Sequence, residues 1–177
     1  MIKIAILGPE STGKSTLAES LAEYFNSMWI PEYAREYVEK LTRPYTYDDV
    51  CKIALMQIEQ EKSFENPLIS DKKYVFFDTD LIITKVWFSY CFQKIPDFLT
   101  ERMKVGFFDL YLLCVPDLPW KPDPVREHGN DREYFFDWYK KEIEEMGKPY
   151  IVVNGSGNQR IQNAINAIQS QLKQIIT

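Results

Sequence analysis

A three-layer α/β domain, a parallel sheet covered by helices on both faces, is what this sequence predicts, and three observations predict it. Short apolar runs suited to buried strands alternate with stretches whose apolar residues return at helical spacing, the pattern of a parallel sheet wound on both sides. The chain has 177 residues, 45% of them hydrophobic, enough to bury a full core without disulfides or metal. It contains no repeat, low-complexity tract or linker, so residues 1–177 are expected to form a single domain.

The elements follow in order. Ile2–Leu7 is a nearly continuous apolar strand, and Leu17, Ala18, Leu21 and Phe25 then recur at helical spacing, so the glycine-rich segment 8–16 joins strand to helix. A short strand at Met28–Ile30 leads through Pro31 into a helix over 32–41, which Pro44 closes by disfavouring helical backbone at Arg43. Thr46 and Asp49 have the spacing of a capping box for a long helix reaching about residue 66, with Val50, Ile53, Ala54 and Ile58 on its apolar face. A third strand over 74–77 ends at Asp78. Leu81–Phe92 is apolar on every side, as a helix buried within the domain is. The fourth strand, 110–115, runs into segment 116–124, where four prolines exclude regular structure. A helix over 131–146 stops at Gly147 with Pro149 beyond, and a last strand, Tyr150–Val153, precedes a terminal helix with Ile161, Ile165, Ile168 and Leu172 on one face.

Composition narrows the function. A formal charge of -5 argues against broad nucleic-acid binding, which needs a basic face to displace counterions from phosphates, yet a small anionic ligand needs only a few local cations. Cys51, Cys91 and Cys114 lie in apolar runs without C-x-x-C spacing and read as reduced core thiols, which points to the cytoplasm. The apolar run at the N-terminus meets the glycine loop at once and leaves no room for a cleavable signal. The run Leu81–Phe92 is interrupted by Lys85 and is too short to span a bilayer, so no membrane association is expected. His128 is the single histidine, which excludes histidine-based metal clusters; it reads as lid surface.

The segment Gly8-Pro9-Glu10-Ser11-Thr12-Gly13-Lys14-Ser15-Thr16 carries the chemistry. Gly8-x4-Gly13-Lys14-Ser15 satisfies the Walker A pattern: the glycines let backbone N–H groups converge on phosphate oxygens, and a helix N-terminus adds partial positive charge. Lys14 would reach the β- and γ-phosphates of ATP, and the Ser15 hydroxyl would hold Mg²⁺. From average residue frequencies the pattern arises by chance in about one chain in a hundred of this length. Its position between a strand and a helix makes a glycine turn that binds nothing remote. The expected fold is therefore a doubly wound phosphate-loop NTPase, with a five-stranded parallel sheet of the nucleoside- and nucleotide-kinase type and a lid over residues 117–132.

In such a sheet the ligand sits beyond the carboxyl ends of the strands. Asp78 lies there and could orient Mg²⁺ or accept a substrate proton. For Asp80, chemistry and capping of the following helix weigh equally. Glu32, after the second strand, suits the proton of an attacking hydroxyl, with a first-turn helix acid as the alternative. Arg126 and Arg132 lie in or beside the long loop and would meet the charge developing on the transferring group. Surface ion pairs with Glu127 and Glu133 are the alternative, stronger for Arg132. The run 154–158, with Asn154 and Asn158, offers amides to a nucleotide base or is simply a turn. Arg35 and Tyr37 are open to sugar contacts or packing. Trp120, among prolines, is the best stacking candidate, with packing under the lid as its alternative, whereas Trp87 and Trp138 read as core.

Together these motifs resemble the ribosylnicotinamide kinase domain of the NadR family, proteins of NAD salvage that phosphorylate nicotinamide riboside with ATP. The resemblance covers nearly the whole chain and rests on the phosphate loop, on Pro31-Glu32-Tyr33-Ala34-Arg35-Glu36-Tyr37, on Phe77-Asp78-Thr79-Asp80, and on Pro119-Trp120 with Arg126 and segment 129–132. It implies Glu32 and Asp78 near the riboside, Arg126 and Arg132 over the phosphates, and residues 154–158 near adenine. Some members carry an adenylyltransferase domain and a DNA-binding segment as well; this chain is expected to do the kinase step alone. A cationic nicotinamide ring would suit a pocket of carboxylates and aromatic faces. A kinase for another nucleoside or nucleotide is the rival reading, and an ATP-binding regulator with slow hydrolysis is the rival of another class. A regulatory GTPase lacks its N-K-x-D and D-x-x-G parts here, and the sequence leaves the oligomeric state open.

Overall fold

A computed structural model describes residues 1–66, 71–123 and 129–176. Strand β1 (Ile2–Leu7) leads to α1 (Lys14–Tyr24), followed by β2 (Met28–Ile30), α2 (Tyr33–Glu39), α3 (Tyr47–Ser63), β3 (Tyr74–Asp78), α4 (Leu81–Phe92), α5 (Asp97–Met103), β4 (Leu110–Cys114), α6 (Arg132–Glu145), β5 (Tyr150–Val153) and α7 (Gly157–Ile176). The five strands form one sheet in the order β2-β3-β1-β4-β5, and each neighbouring pair is parallel.

The alternation of side chains along each strand makes two core layers. Ile4, Ile6, Phe76 and Leu112 pack beneath Leu17 and Leu21 of α1 and Ile165 and Ile168 of α7. Ala5, Leu7, Val75, Phe77 and Leu113 face Ile82 and Val86 of α4 and Phe135 and Ile143 of α6. A third cluster joins Val50 and Ala54 of α3, Leu81 and Phe88 of α4, and Leu99 of α5. Each fully buried Leu, Ile or Phe stabilises the fold by about 1.5–3 kcal/mol, so the sheet and its covering helices carry stability. The strand ends are left to carry chemistry.

Several expected boundaries moved. Helix α5 was not anticipated: only Leu99 of its seven residues is buried, too short a signal for periodicity to register. Helix α2 is shorter than 32–41, which puts Glu32 at its N-cap. Helix α7 begins at Gly157 and absorbs Asn158; the side chain of Leu172 lies outside the described residues. The capping box of α3 is present with both of its bonds, Thr46 and Asp49 each bonding the other's backbone N–H. Helix α4 is apolar all round for a reason other than enclosure. Leu81, Ile82, Val86 and Phe88 are buried, but Tyr90 is 42% exposed and Lys85 pairs with Glu142 at 2.5 Å. Of the three free cysteines only Cys114 is buried; Cys91 is exposed on the last turn of α4 and Cys51 is half-buried. Among the described residues no helix is long and apolar enough to cross a membrane.

Candidate active site

The phosphate loop leaves β1 and enters α1 under tight steric control. Gly8 has φ +149°, and a Cβ there would stand 2.8 Å from the Cys114 carbonyl oxygen, so only glycine lets the loop pass the end of β4. Gly13, at φ +75°, is the left-handed N-cap of α1, and no side chain caps that helix among the described residues. Its first N–H groups and positive end are thus left for an anion. Thr12 Oγ1 and Lys14 Nζ both donate to the Pro9 carbonyl, at 2.8 and 3.0 Å. Ser15 and Thr16 are exposed on the first turn of α1.

This loop lines one end of a cleft of about 410 Å³. Helix α2 forms a second wall with Glu32 at its N-cap, Ala34, Arg35 and Val38. Tyr45 adds a ring from the segment before α3. Across from them stand Ile83, Val86, Trp87 and Tyr90 of α4, with Phe135 and Tyr139 of α6 and Asp123 from the proline-rich segment. Trp87 packs against the third core cluster and also lines the cleft, and its ring meets that of Tyr45 edge-on with centroids 4.8 Å apart. The all-round apolar face of α4 had concealed this. Trp138 does pack against the core and donates to Glu142 at 3.2 Å.

The proline-rich segment is strapped over the phosphate loop. Trp120 Nε1 donates to Glu10 Oε2 at 3.3 Å, the Lys121 N–H to Ser11 Oγ at 3.1 Å, and Arg35 to both oxygens of Asp123 at 3.0 and 3.2 Å. Arg132 opens α6 and donates to the Leu118 carbonyl at 2.7 Å, so its contact is to backbone. Trp120 is outside the cleft lining and packs on Gly129, where a Cβ would lie 2.8 Å from the indole. Arg126 and His128 lie outside the described residues. Tyr37 turns from the cleft, its hydroxyl donating to Asp49 at 3.0 Å.

Asp78 ends β3 beside β1, level with Ile6, and is 3% exposed. Burial raises its carboxyl above the ordinary range, against the opposing pull of Lys14, Ser15 and Arg35. Its Oδ1 is buried without a hydrogen-bond partner among the described residues. A hard cation beside Ser15 and Asp78 would satisfy that oxygen, and the loop geometry fits a phosphate chain. No cluster of three His, Cys, Asp or Glu among the described residues could hold a metal by protein ligands alone. A cation here would draw most ligands from phosphate and water, as Mg²⁺ does.

Asp80 is a cap: its Oδ1 accepts the Ile82 N–H at 2.9 Å, and it lies with Asp78 and Glu61 around a separate cavity of about 10 Å³. Burial pushes its carboxyl up to about 8, with Glu61 nearby adding to the rise and the Tyr111 hydroxyl opposing it. The sign of the consequence follows. Between the unfolded carboxylate range and about 8 the folded state holds a proton that the unfolded state releases, so stability falls as pH rises through that window. One carboxyl contributes a slope of at most ~1.4 kcal/mol per pH unit. Urea midpoints should fall from pH 5.5 to pH 8, and Asp80→Asn, which keeps a capping oxygen, should flatten the fall; an unchanged slope would remove Asp80 as its source.

Sequence reading also missed Arg160. Only 3% exposed, it donates to the Gly155 carbonyl at 2.8 Å and the Val115 carbonyl at 3.2 Å and pairs with Asp117, whose other oxygen accepts the Gly155 N–H at 2.7 Å. The ends of β4 and β5 are thus clasped together. Asn154 Oδ1 accepts from Asn163 at 3.2 Å, and Asn158 is exposed.

This arrangement has close relatives. The trifunctional NAD biosynthesis/regulator protein NadR of Escherichia coli (strain K12) is 30% identical over 159 residues, 85% of this chain and 37% of that protein. The protein of the same description from Salmonella typhimurium (strain LT2) is 29% identical with the same coverage. The chain thus spans 37% of the length of each of these relatives. Among solved structures, a crystal structure of NadR protein in complex with NR superposes with a TM-score of 0.72 at 24% identity, covering 96% of this chain and 51% of that one. Thymidylate kinase from Ehrlichia chaffeensis gives 0.66 at 17% identity, covering 94% and 98%. These likenesses establish a fold shared with nucleoside and nucleotide kinases. The sequence profile of the AAA domain matches residues 3–160, and with the phosphate loop seated between β1 and α1 the chain belongs to that family.

Proposed function

We propose that this chain is an ATP- and Mg²⁺-dependent kinase that phosphorylates the 5′-hydroxyl of nicotinamide riboside to nicotinamide mononucleotide, a cytoplasmic step of NAD salvage. The observation that carries the reading is the continuity of the cleft: one space is lined both by the phosphate loop and by acids and aromatic rings from elsewhere in the chain. A donor phosphate and an acceptor hydroxyl would then share it. Likeness to the NadR proteins, one of them solved with NR, supports the choice of acceptor.

The loop N–H groups and Lys14 bind the donor phosphates, and Lys14 neutralises charge as the γ-group transfers. Ser15 and Asp78 would hold Mg²⁺, which when bound offsets charge on the phosphates. Glu32 takes the proton of the attacking hydroxyl, and Arg35 orients the sugar while tied to Asp123. Trp87 and Tyr45 offer aromatic edges and faces to a cationic ring, with Glu32 and Asp123 as nearby carboxylates. Arg126 and Arg132 belong to the lid side, and residues 154–158 to the base.

Incubation with Mg-ATP and a panel of ribosides, following product beside ATP loss, tests the reading. Nicotinamide mononucleotide is the expected product. Phosphorylation of thymidine or deoxycytidine instead would keep the mechanism and change the acceptor. ATP consumption that no riboside accelerates would sink the kinase and favour an ATP-binding regulator.

A further inference from the structure

Helix α2 carries the wall opposite α4, yet none of its seven residues is buried. Its residues are half-buried or exposed, so apolar packing holds it only in part and polar ties add to the hold. One runs from Arg35 to Asp123. The other converges on Asp49, on the first turn of α3 and 1% exposed.

The Asp49 carboxylate accepts five hydrogen bonds: from Tyr37 at 3.0 Å, from Arg43 at 2.6 and 3.1 Å, from the Thr46 N–H at 2.9 Å and from Thr46 Oγ1 at 2.7 Å. Lys52 stands 3.9 Å away. A capping box requires only the Thr46 N–H bond from this side chain. The surplus reaches the two segments that line the cleft. Tyr37 sits on α2 between Arg35 and Val38, and Arg43 and Thr46 flank Tyr45, whose ring meets Trp87. The Arg43 guanidinium, with Thr46, holds the carboxyl well below its usual range, so it stays ionised at neutral pH.

We propose that Asp49 is a positioning residue for the acceptor: lying outside the cleft, it fixes α2 and Tyr45 at a set distance from α4 and so sets the width of the acceptor end. Its kinetic consequence rests on the kinase reading above; its structural one does not.

Two variants test it. Asp49→Asn keeps the shape and a capping oxygen but removes the charge, and Tyr37→Phe cuts only the tie to α2. Tyr37→Phe loses one hydrogen bond to a charged group, and Asp49→Asn, whose amide nitrogen replaces the oxygen that accepts from Tyr37 and Arg43, loses two. The acceptor KM should therefore rise about tenfold in the first and at least that in the second, with the ATP KM within about twofold of wild type. Amide hydrogen exchange over residues 33–46 should quicken about tenfold while β1 stays protected, since local opening follows the lost tie. If both KM values rise together, or exchange over 33–46 is unchanged, Asp49 is only a helix cap and the proposal falls. Should Asp49→Asn fail to fold, Tyr37→Phe decides by the same readouts. Should wild type phosphorylate no acceptor, the kinase reading fails while hydrogen exchange still decides the role of Asp49.

Discussion

Lys14→Ala is expected to lower phosphoryl transfer about 10³-fold, roughly 4 kcal/mol of transition-state stabilisation, because the ammonium meets charge that grows only as the γ-group moves. The fold should survive. Among the described residues the Lys14 ammonium donates to the Pro9 carbonyl, which Thr12 Oγ1 also satisfies at 2.8 Å, so removing the amine does not orphan that carbonyl. Initial rates at saturating acceptor, beside a thermal melt, separate the two effects. Lys14→Arg should not restore activity, since a planar fork cannot take the place of a compact ammonium in so tight a loop. Retention of more than about a tenth of wild-type turnover would mean that donor phosphate is bound elsewhere.

Glu32→Gln is expected to lower kcat by about 10²–10³-fold with little change in ATP KM, the loss proper to a general base. Glu32 lines the cleft from the N-cap of α2 without capping it, and its charge acts on Arg35 one turn on. Asp78 differs from Glu32 in position, lying outside the lining of the cleft. It is buried at the back of the phosphate loop, its carboxyl is raised by burial, and one oxygen lacks a partner among the described residues. Asp78→Asn should instead raise the Mg²⁺ concentration needed for half-maximal rate. Steady-state kinetics of both variants with varied Mg²⁺ decides between them: full turnover in Glu32→Gln would hand the base role to Asp78.

What could be read before the structure was whatever lies close together along the chain. The phosphate loop is nine consecutive residues flanked by its own strand and helix, and the capping box of α3 spans four, so local rules suffice for both. The sheet was legible because five apolar runs alternate with helices, and parallel pairing follows from that alternation. The rest of the cleft lining was not, because its parts come from five places in the chain. Trp87 reads as core and does pack against the third cluster, but that its ring also lines the cleft has no signature in sequence. Tyr37, open to either role, turned toward Asp49, a choice with no local signature, and Asp80 took the capping role that its place before α4 had left open. Arg160 and Asp117 are separated by more than forty residues, and only the adjacency of β4 and β5 brings them together.

The absence of buried residues on α2 also bears on how acceptor choice can change over evolution or by design. A substitution at Ala34 or Val38, both half-buried, gives up little core packing, so its folding cost should stay at the low end for single substitutions, about 0.5–1 kcal/mol, whereas one at Arg35 also gives up the tie to Asp123. Gly8 has no such latitude, with Cys114 in the way of any side chain. On the kinase reading, mutational tolerance would thus be distributed along the cleft itself, rigid at the loop given to the donor phosphates and more permissive at the wall given to the acceptor.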